Sequence, residues 1–486
     1  MQTKQSVTSN VIWRFFEKCS VQIVSFIVSL IIARILGPEV YGVVALVEVF
    51  IGILTIFIDS GFSIALVQKK DAGDLEFSTM FYLNIIMSVI LYLFLFFSAP
   101  LLSSFYEIDN LTLVIRILGI TILISAIKSI QTAYVTKHMK FKLFFFSTFG
   151  GTFVSAIVGV VMALTGFGVW ALVFQYLINN FIDTLILSFT ISWKPKRIFS
   201  WESFKSLFSF GGKILISRMV DKIYQSSRQL VIGKMFTKSD LAFYNKGEVF
   251  PNVLVGNVNQ SIESVLFPVM TEIQDDPAQL KNVAKRSLKV STFVIMPMMT
   301  GLAVCAEPLV SLILTEKWLP CIIFIRILCI SYAFYSVHST NINVINALGK
   351  SSLVLKLEII KVIIGMLILF ISMWFGVLYI ALGFLVVDFI CQLINALPNK
   401  KLINYGYFEQ VKDIVPNIII SLIMGALVYL INFLPLHDFF KLLIQIPLGI
   451  GLYICFSVIF KFESYNYIKD ILVTKFNSSI KRESNK

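Results

Sequence analysis

A chain of 486 residues in which 57% of side chains are hydrophobic, 14% aromatic and only 14% charged carries more apolar surface than a water-soluble fold hides. A mean hydropathy of +0.85 excludes a soluble enzyme or binding module and makes lipid the solvent for most of that surface. The net charge of +13 would suggest nucleic acid in a soluble protein, yet the Lys and Arg residues fall in short segments between apolar runs. That pattern sets membrane topology, and no nucleic-acid partner is expected.

About twenty apolar residues are needed to cross a hydrocarbon core. Runs of that kind predict spans near 11–36, 40–66, 78–102, 111–135, 143–164, 168–190, 206–234, 240–270, 287–314, 318–346, 351–373, 376–397, 412–433 and 439–460. The expected fold is an all-α integral membrane bundle of about fourteen transmembrane helices. The first run is read as a retained helix and not a cleaved leader, because Gly37-Pro38-Glu39 and another apolar run follow it. With the N-terminus inside, alternate segments carry Lys69-Lys70, then Lys137, Lys140 and Lys142, then Lys194, Lys196, Arg197 and Lys205. Later inside segments hold Lys281, Lys285, Arg286, Lys350 and Lys400-Lys401, and the intervening connections are short and poor in bases. Both termini are therefore expected in the cytoplasm.

An offset of 200 residues relates Leu30, Ile32, Glu48, Val49 and Phe50 to Leu230, Ile232, Glu248, Val249 and Phe250, and Asp59 to Asn259. This pairs spans one and two with spans seven and eight, as a six-plus-six repeat about an axis along the membrane normal requires. The expected division is a six-helix lobe over 1–200, a second over 201–405, helices 13 and 14 over 406–462, and a basic cytoplasmic tail over 463–486.

Ionisable and amide residues inside the spans form stripes, which in lipid marks a cavity or a partner. Span one places Arg14, Lys18 and Gln22 on one helical face; span seven places Arg218, Asp221, Lys222, Gln225 and Arg228. Span eight presents Asn245, Glu248, Asn252, Asn259 and Glu263, and span ten presents Asn343, with His338 nearby. The cationic faces suit a phosphate-bearing substrate. The carboxylates Glu48, Asp59, Glu248 and Glu263 are the candidates for binding a driving cation. Each has a plainer alternative: Arg14 sits where it could snorkel, Asp221 could pair locally with Arg218 or Lys222, and His338 suits a hydrogen-bonded packing role. No catalytic residue or metal site is expected, and the six cysteines read as buried apolar groups.

Four segments resemble a known family: ARILGPEVYGVVALVEVFIG at 33–52, DSGFSIALVQKKD at 59–71, TGFGVWALV at 165–173 and FPVMTEIQDD at 267–276. They are similar to the lipopolysaccharide and polysaccharide flippases of the multidrug, oligosaccharidyl-lipid and polysaccharide exporter superfamily. The resemblance implies movement of an undecaprenyl-pyrophosphate-linked oligosaccharide between leaflets of the bacterial cytoplasmic membrane, for O-antigen, capsule or exopolysaccharide. It also implies two lobes around a cationic cavity, no cofactor beyond a coupled proton or sodium gradient, and a polysaccharide polymerase and chain-length machinery as partners besides membrane lipids. A drug exporter of the same superfamily would favour acids in its cavity, and a membrane glycosyltransferase or polymerase would need a substantial outer loop.

Overall fold

The structure is a computed structural model that describes residues 4–59, 62–69, 71–467 and 469; of these, the side chains of 4–12, 14–17, 19, 62, 64, 206, 209, 210, 213, 214 and 265 lie outside the description. Every regular element among the described residues is helical. The chain divides into two compact units, residues 1–242 and 243–486.

The first unit holds α1 (Lys4–Ile35), α2 (Pro38–Asp59), α3 (Phe62–Gln68), α4 (Asp74–Tyr106), α5 (Leu111–Lys137), α6 (Phe141–Leu164), α7 (Val169–Thr190) and α8 (Trp201–Met235). Its tightest seam joins α6 to α7, and the sequence explains it. Ser147, Gly151, Ser155, Gly159 and Ala163 recur every fourth residue of α6, and all are buried. Small side chains at that spacing let two helix backbones approach in lipid, where no hydrophobic drive between helices exists. A Cβ on Gly151 would stand 2.8 Å from the Asn179 carbonyl oxygen, and one on Gly159 would stand 3.0 Å from Gln175. The Asn179 amide donates to Ser155 Oγ at 3.2 Å, which adds a polar tie inside the seam. Gly168, at φ +56°, starts α7 in a conformation that glycine adopts without strain.

The motif Gly37-Pro38-Glu39-Val40-Tyr41-Gly42 also finds its reason. Pro38 opens α2 at the position where its missing N–H costs nothing. Tyr41 donates to the Ser29 carbonyl at 3.2 Å, and a Cβ on Gly42 would overlap the Lys238 carbonyl. The span expected over 40–66 is described as α2 and α3, with residues 60 and 61 between them outside the description. Gly61 lies outside the described residues, as do Lys70 and most of the basic tail.

The second unit holds most of α9 (Lys238–Glu272), then α10 (Pro277–Val304), α11 (Ala306–Ile313), α12 (Cys321–Ala333), α13 (Tyr335–Ala347), α14 (Ser351–Ser372), α15 (Val377–Leu402), α16 (Tyr407–Tyr429) and α17 (Asp438–Ile459). Asp276 caps α10 by accepting from the Ala278 and Gln279 N–H groups, both at 3.0 Å, ahead of Pro277. Two expected spans are interrupted: 287–314 becomes α10 and α11, and 318–346 becomes α12 and α13, separated by Phe334. A buried amide network fastens α13 to α15 and α16. Asn341 and Gln410 exchange hydrogen bonds of 2.7 and 2.9 Å, and Asn399 donates to Asn341 Oδ1 at 2.6 Å. These side chains are buried while Phe370, Leu443 and Ile450 on α14 and α17 are exposed, the inversion that lipid solvent imposes.

Ten of the described helical stretches are long and apolar enough to cross a membrane, so the protein is a multi-pass membrane protein. The remaining long helices, α1, α8, α9 and α14, carry the polar residues. α8, which the sequence assigns to the second lobe, packs in the first unit against α2, α3 and α4. The α1–α2 break falls between Ile35 and Pro38, and the α8–α9 break between Met235 and Lys238, so the offset of 200 seen in the sequence recurs in the helix ends.

Candidate functional site

In the first unit the chemistry gathers where α2 ends. Ending a helix inside lipid leaves carbonyls without partners, and the cost of each is several kcal/mol unless a donor reaches it. The Ile58 carbonyl accepts from Asn84 Nδ2 of α4 at 3.3 Å and from Ser129 Oγ of α5 at 3.2 Å. Ser63 of α3 lies 2.6 Å from the same Ser129 hydroxyl, so one serine ties α2 and α3 together.

Asp59, the last residue of α2, is exposed and hydrogen-bonded to Ser129, with Lys128 and Arg218 as its cationic neighbours. Lys128 Nζ in turn stands 2.6 Å from Asp183 Oδ2 on α7, a carboxylate whose side chain is only 3% exposed. Lys222 lies one helical turn from Arg218, and its Cε would be 3.2 Å from a Cβ on Gly52, so glycine at 52 leaves the ammonium its place on α2. Gln225 donates to Asp221 Oδ2 at 3.0 Å. Arg228, three residues further along α8, is buried and so stands in a different environment from exposed Arg218. On α1, Lys18 is exposed and Gln22 half-buried; the Arg14 side chain lies outside the described residues. Glu48 on α2 is hydrogen-bonded to Tyr176 of α7, and Tyr41 is its further phenolic neighbour.

The second unit assembles a different set. Glu263 of α9 accepts from Asn259 Nδ2 at 2.8 Å and from Asn343 Nδ2 of α13 at 3.1 Å, through the same carboxylate oxygen. Ser339, one turn before Asn343, donates to Asn259 Oδ1 at 2.9 Å. Three of the residues expected from sequence thus meet here, across two helices. Asn245 and Glu248 are half-buried and Asn252 is exposed further up α9. His338 Nδ1 lies 2.7 Å from the Asn395 amide.

Asn84, Lys128, Ser129 and Asp183 are absent from the stripes read in the sequence. Their signal is short polar clusters within apolar runs, such as Lys128-Ser129 and Asp183-Thr184, which a search for long repeating faces passes over. No group of three or more metal-binding side chains occurs among the described residues. The arrangement suits recognition: an accessible guanidinium and ammonium groups for phosphate, and amides for sugar hydroxyls.

A bundle of apolar helices with ionisable residues gathered at helix interruptions is the build of a membrane transporter. Its fold is that of the lipid II flippase MurJ in an inward closed conformation, with a TM-score of 0.77 at 17% identity over 93% of this chain and 98% of that one. The model of the polysaccharide biosynthesis protein family matches residues 31–323, and the chain belongs to that family. It is 26% identical to a membrane protein of the cps region of Klebsiella pneumoniae, over 90% of this chain and 88% of the relative. It is 23% identical to the succinoglycan biosynthesis transport protein ExoT of Rhizobium meliloti, over 74% of this chain and 73% of that protein.

Proposed function

We propose that this protein is a flippase that carries an undecaprenyl-pyrophosphate-linked oligosaccharide repeat unit from the inner to the outer leaflet of the bacterial cytoplasmic membrane. The polymer served is a cell-surface polysaccharide, and the substrate leaves chemically unchanged. Family membership supports the substrate class; the observation that carries the physical argument is exposed Arg218 beside Asp59 and Lys128 at the end of α2. A pyrophosphate there would take charge-assisted hydrogen bonds from the exposed Arg218 guanidinium, Lys128 being held by Asp183, while the polyprenyl tail stays in the bilayer. The four polar helices α1, α8, α9 and α14 count as spans beside the ten apolar ones, giving fourteen, with both termini in the cytoplasm. Asp59 and Glu263 are the first candidates for the coupling cation, ahead of Glu48 and Glu248. The polymerase and chain-length machinery would receive the flipped unit.

The test is reconstitution with a fluorescent lipid-linked oligosaccharide, scored for arrival in the outer leaflet and recovered intact. Transfer by the wild-type protein and not by Arg218→Ala supports the proposal. Transfer of organic cations in its place, or a chemically altered sugar, overturns it.

A further inference from the structure

Away from the helix interruptions, the second unit holds a basic hollow where α10 and α16 begin and α17 ends. Since α10 starts at Pro277, α16 at Tyr407 and α17 finishes at Ile459, these three helix ends share one face of the bundle. Lys281, Lys285, Arg286 and Lys289 occupy the polar first half of α10, and from Val290 onward the helix is apolar. The bases therefore stand at the edge of the hydrocarbon, where lipid headgroups lie.

The acids nearby are each taken by a lysine. Lys281 pairs with Glu409 at 2.9 Å, Lys285 with Asp413 at 3.0 Å and Lys289 with Glu463 at 2.8 Å. Five bases face three acids, and the two left over are Arg286 and Lys412, neither of which has a carboxylate within 4.0 Å among the described residues. Arg286 is laid over the Tyr467 ring, 4.2 Å from its centre, and its side chain is exposed. Two cavities of about 500 and 260 Å³ adjoin here and share Lys289, Glu463 and Ser464; Arg286 lines the first and Lys412 the second. Volumes of about 300–1,000 Å³ are ordinary for small-ligand sites.

We infer that this hollow binds the phosphate of an anionic membrane phospholipid between Arg286 and Lys412, with the start of its acyl chains against Val290 and Phe462. Charge complementarity selects the anion: among the described residues two cations remain after the local pairs are counted, and a guanidinium fork suits a phosphate. The apolar wall selects a lipid over a free ion. Phe460, which lines the second cavity, and Ile419 on α16 are exposed and continue that wall into the surface bathed by lipid. The inference is independent of what the protein transports.

The experiment uses the purified full chain, delipidated in a neutral detergent and offered phosphatidylglycerol or phosphatidylcholine, with bound lipid counted by native mass spectrometry. Wild-type protein should retain phosphatidylglycerol several-fold more than phosphatidylcholine, and Arg286→Ala/Lys412→Ala should abolish the preference. The charge-preserving Arg286→Lys/Lys412→Arg should restore part of it, and the loop pair Lys196→Ala/Arg197→Ala should leave it intact at the same cost in charge. Both α10 and α16 sites are exposed, and thermal unfolding of each variant checks that it is folded. Equal retention of the two lipids overturns the inference, as does an undiminished preference in the folded alanine pair. Displacement of the lipid by inorganic phosphate alone would show a bare anion site and overturn the lipid assignment.

Discussion

Positions 59 and 259 correspond under the internal offset of the chain, and they meet the membrane in opposite ways. The described part of α2 ends at Asp59, with residues 60 and 61 outside the description, while α9 is described through Asn259 to Glu272. At that end, the Ile58 carbonyl recruits Asn84 and Ser129 from two other helices, and the carboxylate beside it sits among bases. Around Asn259 the helix continues, and amides and a serine around one carboxylate suffice. An interruption inside lipid therefore gathers polar groups from neighbours, and a charged site can be assembled on that requirement.

The largest effect expected from this contrast is at Lys128. Lys128→Ala leaves Asp183 buried without its cation, which costs about 3–5 kcal/mol when one partner of a buried pair is removed. Thermal unfolding in detergent should show little folded protein, whereas Lys128→Ala/Asp183→Ala should recover most of the loss. Next comes Arg218→Ala, which should slow flipping about tenfold, equal to about 1.4 kcal/mol, with Arg218→Lys intermediate. The control Lys401→Ala, at an exposed helix end, should stay within twofold of the wild type in the same proteoliposome assay. Asn84→Ala and Ser129→Ala each remove a donor from Ile58 and should cost about 1–2 kcal/mol. Ser339→Ala, which removes the α13 donor to Asn259 of the continuous helix α9, should cost only about 0.6 kcal/mol. Equal destabilisation by Asn84→Ala and Ser339→Ala would sink the argument that the interruption sets the difference. Finally, Asp59→Asn and Glu263→Gln should divide the coupling role: the variant that loses dependence on the ion gradient marks the site, and retention by both moves it elsewhere.

Much of this was legible in the sequence. Helical periodicity, the turns at Gly37-Pro38 and Gly166 to Gly168, and the stripe on α9 that leads to Asn259 and Glu263 follow from residue types and spacing. The interruptions inside the spans expected at 287–314 and 318–346 do not, because hydropathy taken over a whole span passes over single marks such as Glu307-Pro308. The need for glycine at 42 is equally hidden, since it arises from the Lys238 carbonyl nearly 200 residues away. Lys128 and Asp183 are single charges on separate helices, and only packing shows that they neutralise each other.

The amide network of Asn341, Asn399 and Gln410 bears on the birth of the protein as well as its finished form. Its members are separated along the chain by 58 and 69 residues, so α13 leaves the ribosome well before the helices that satisfy it. Until α15 and α16 follow, the Asn341 amide has only the Val337 carbonyl of its own helix, its Oδ1 lacks both of its later donors, and isolated α13 would pay for that in lipid. The helix is thus best kept at the insertion machinery, or beside α12, until its partners arrive. Release of the second unit into the bilayer becomes a collective event, timed by the synthesis of Gln410 and not by the hydrophobicity of each helix in turn.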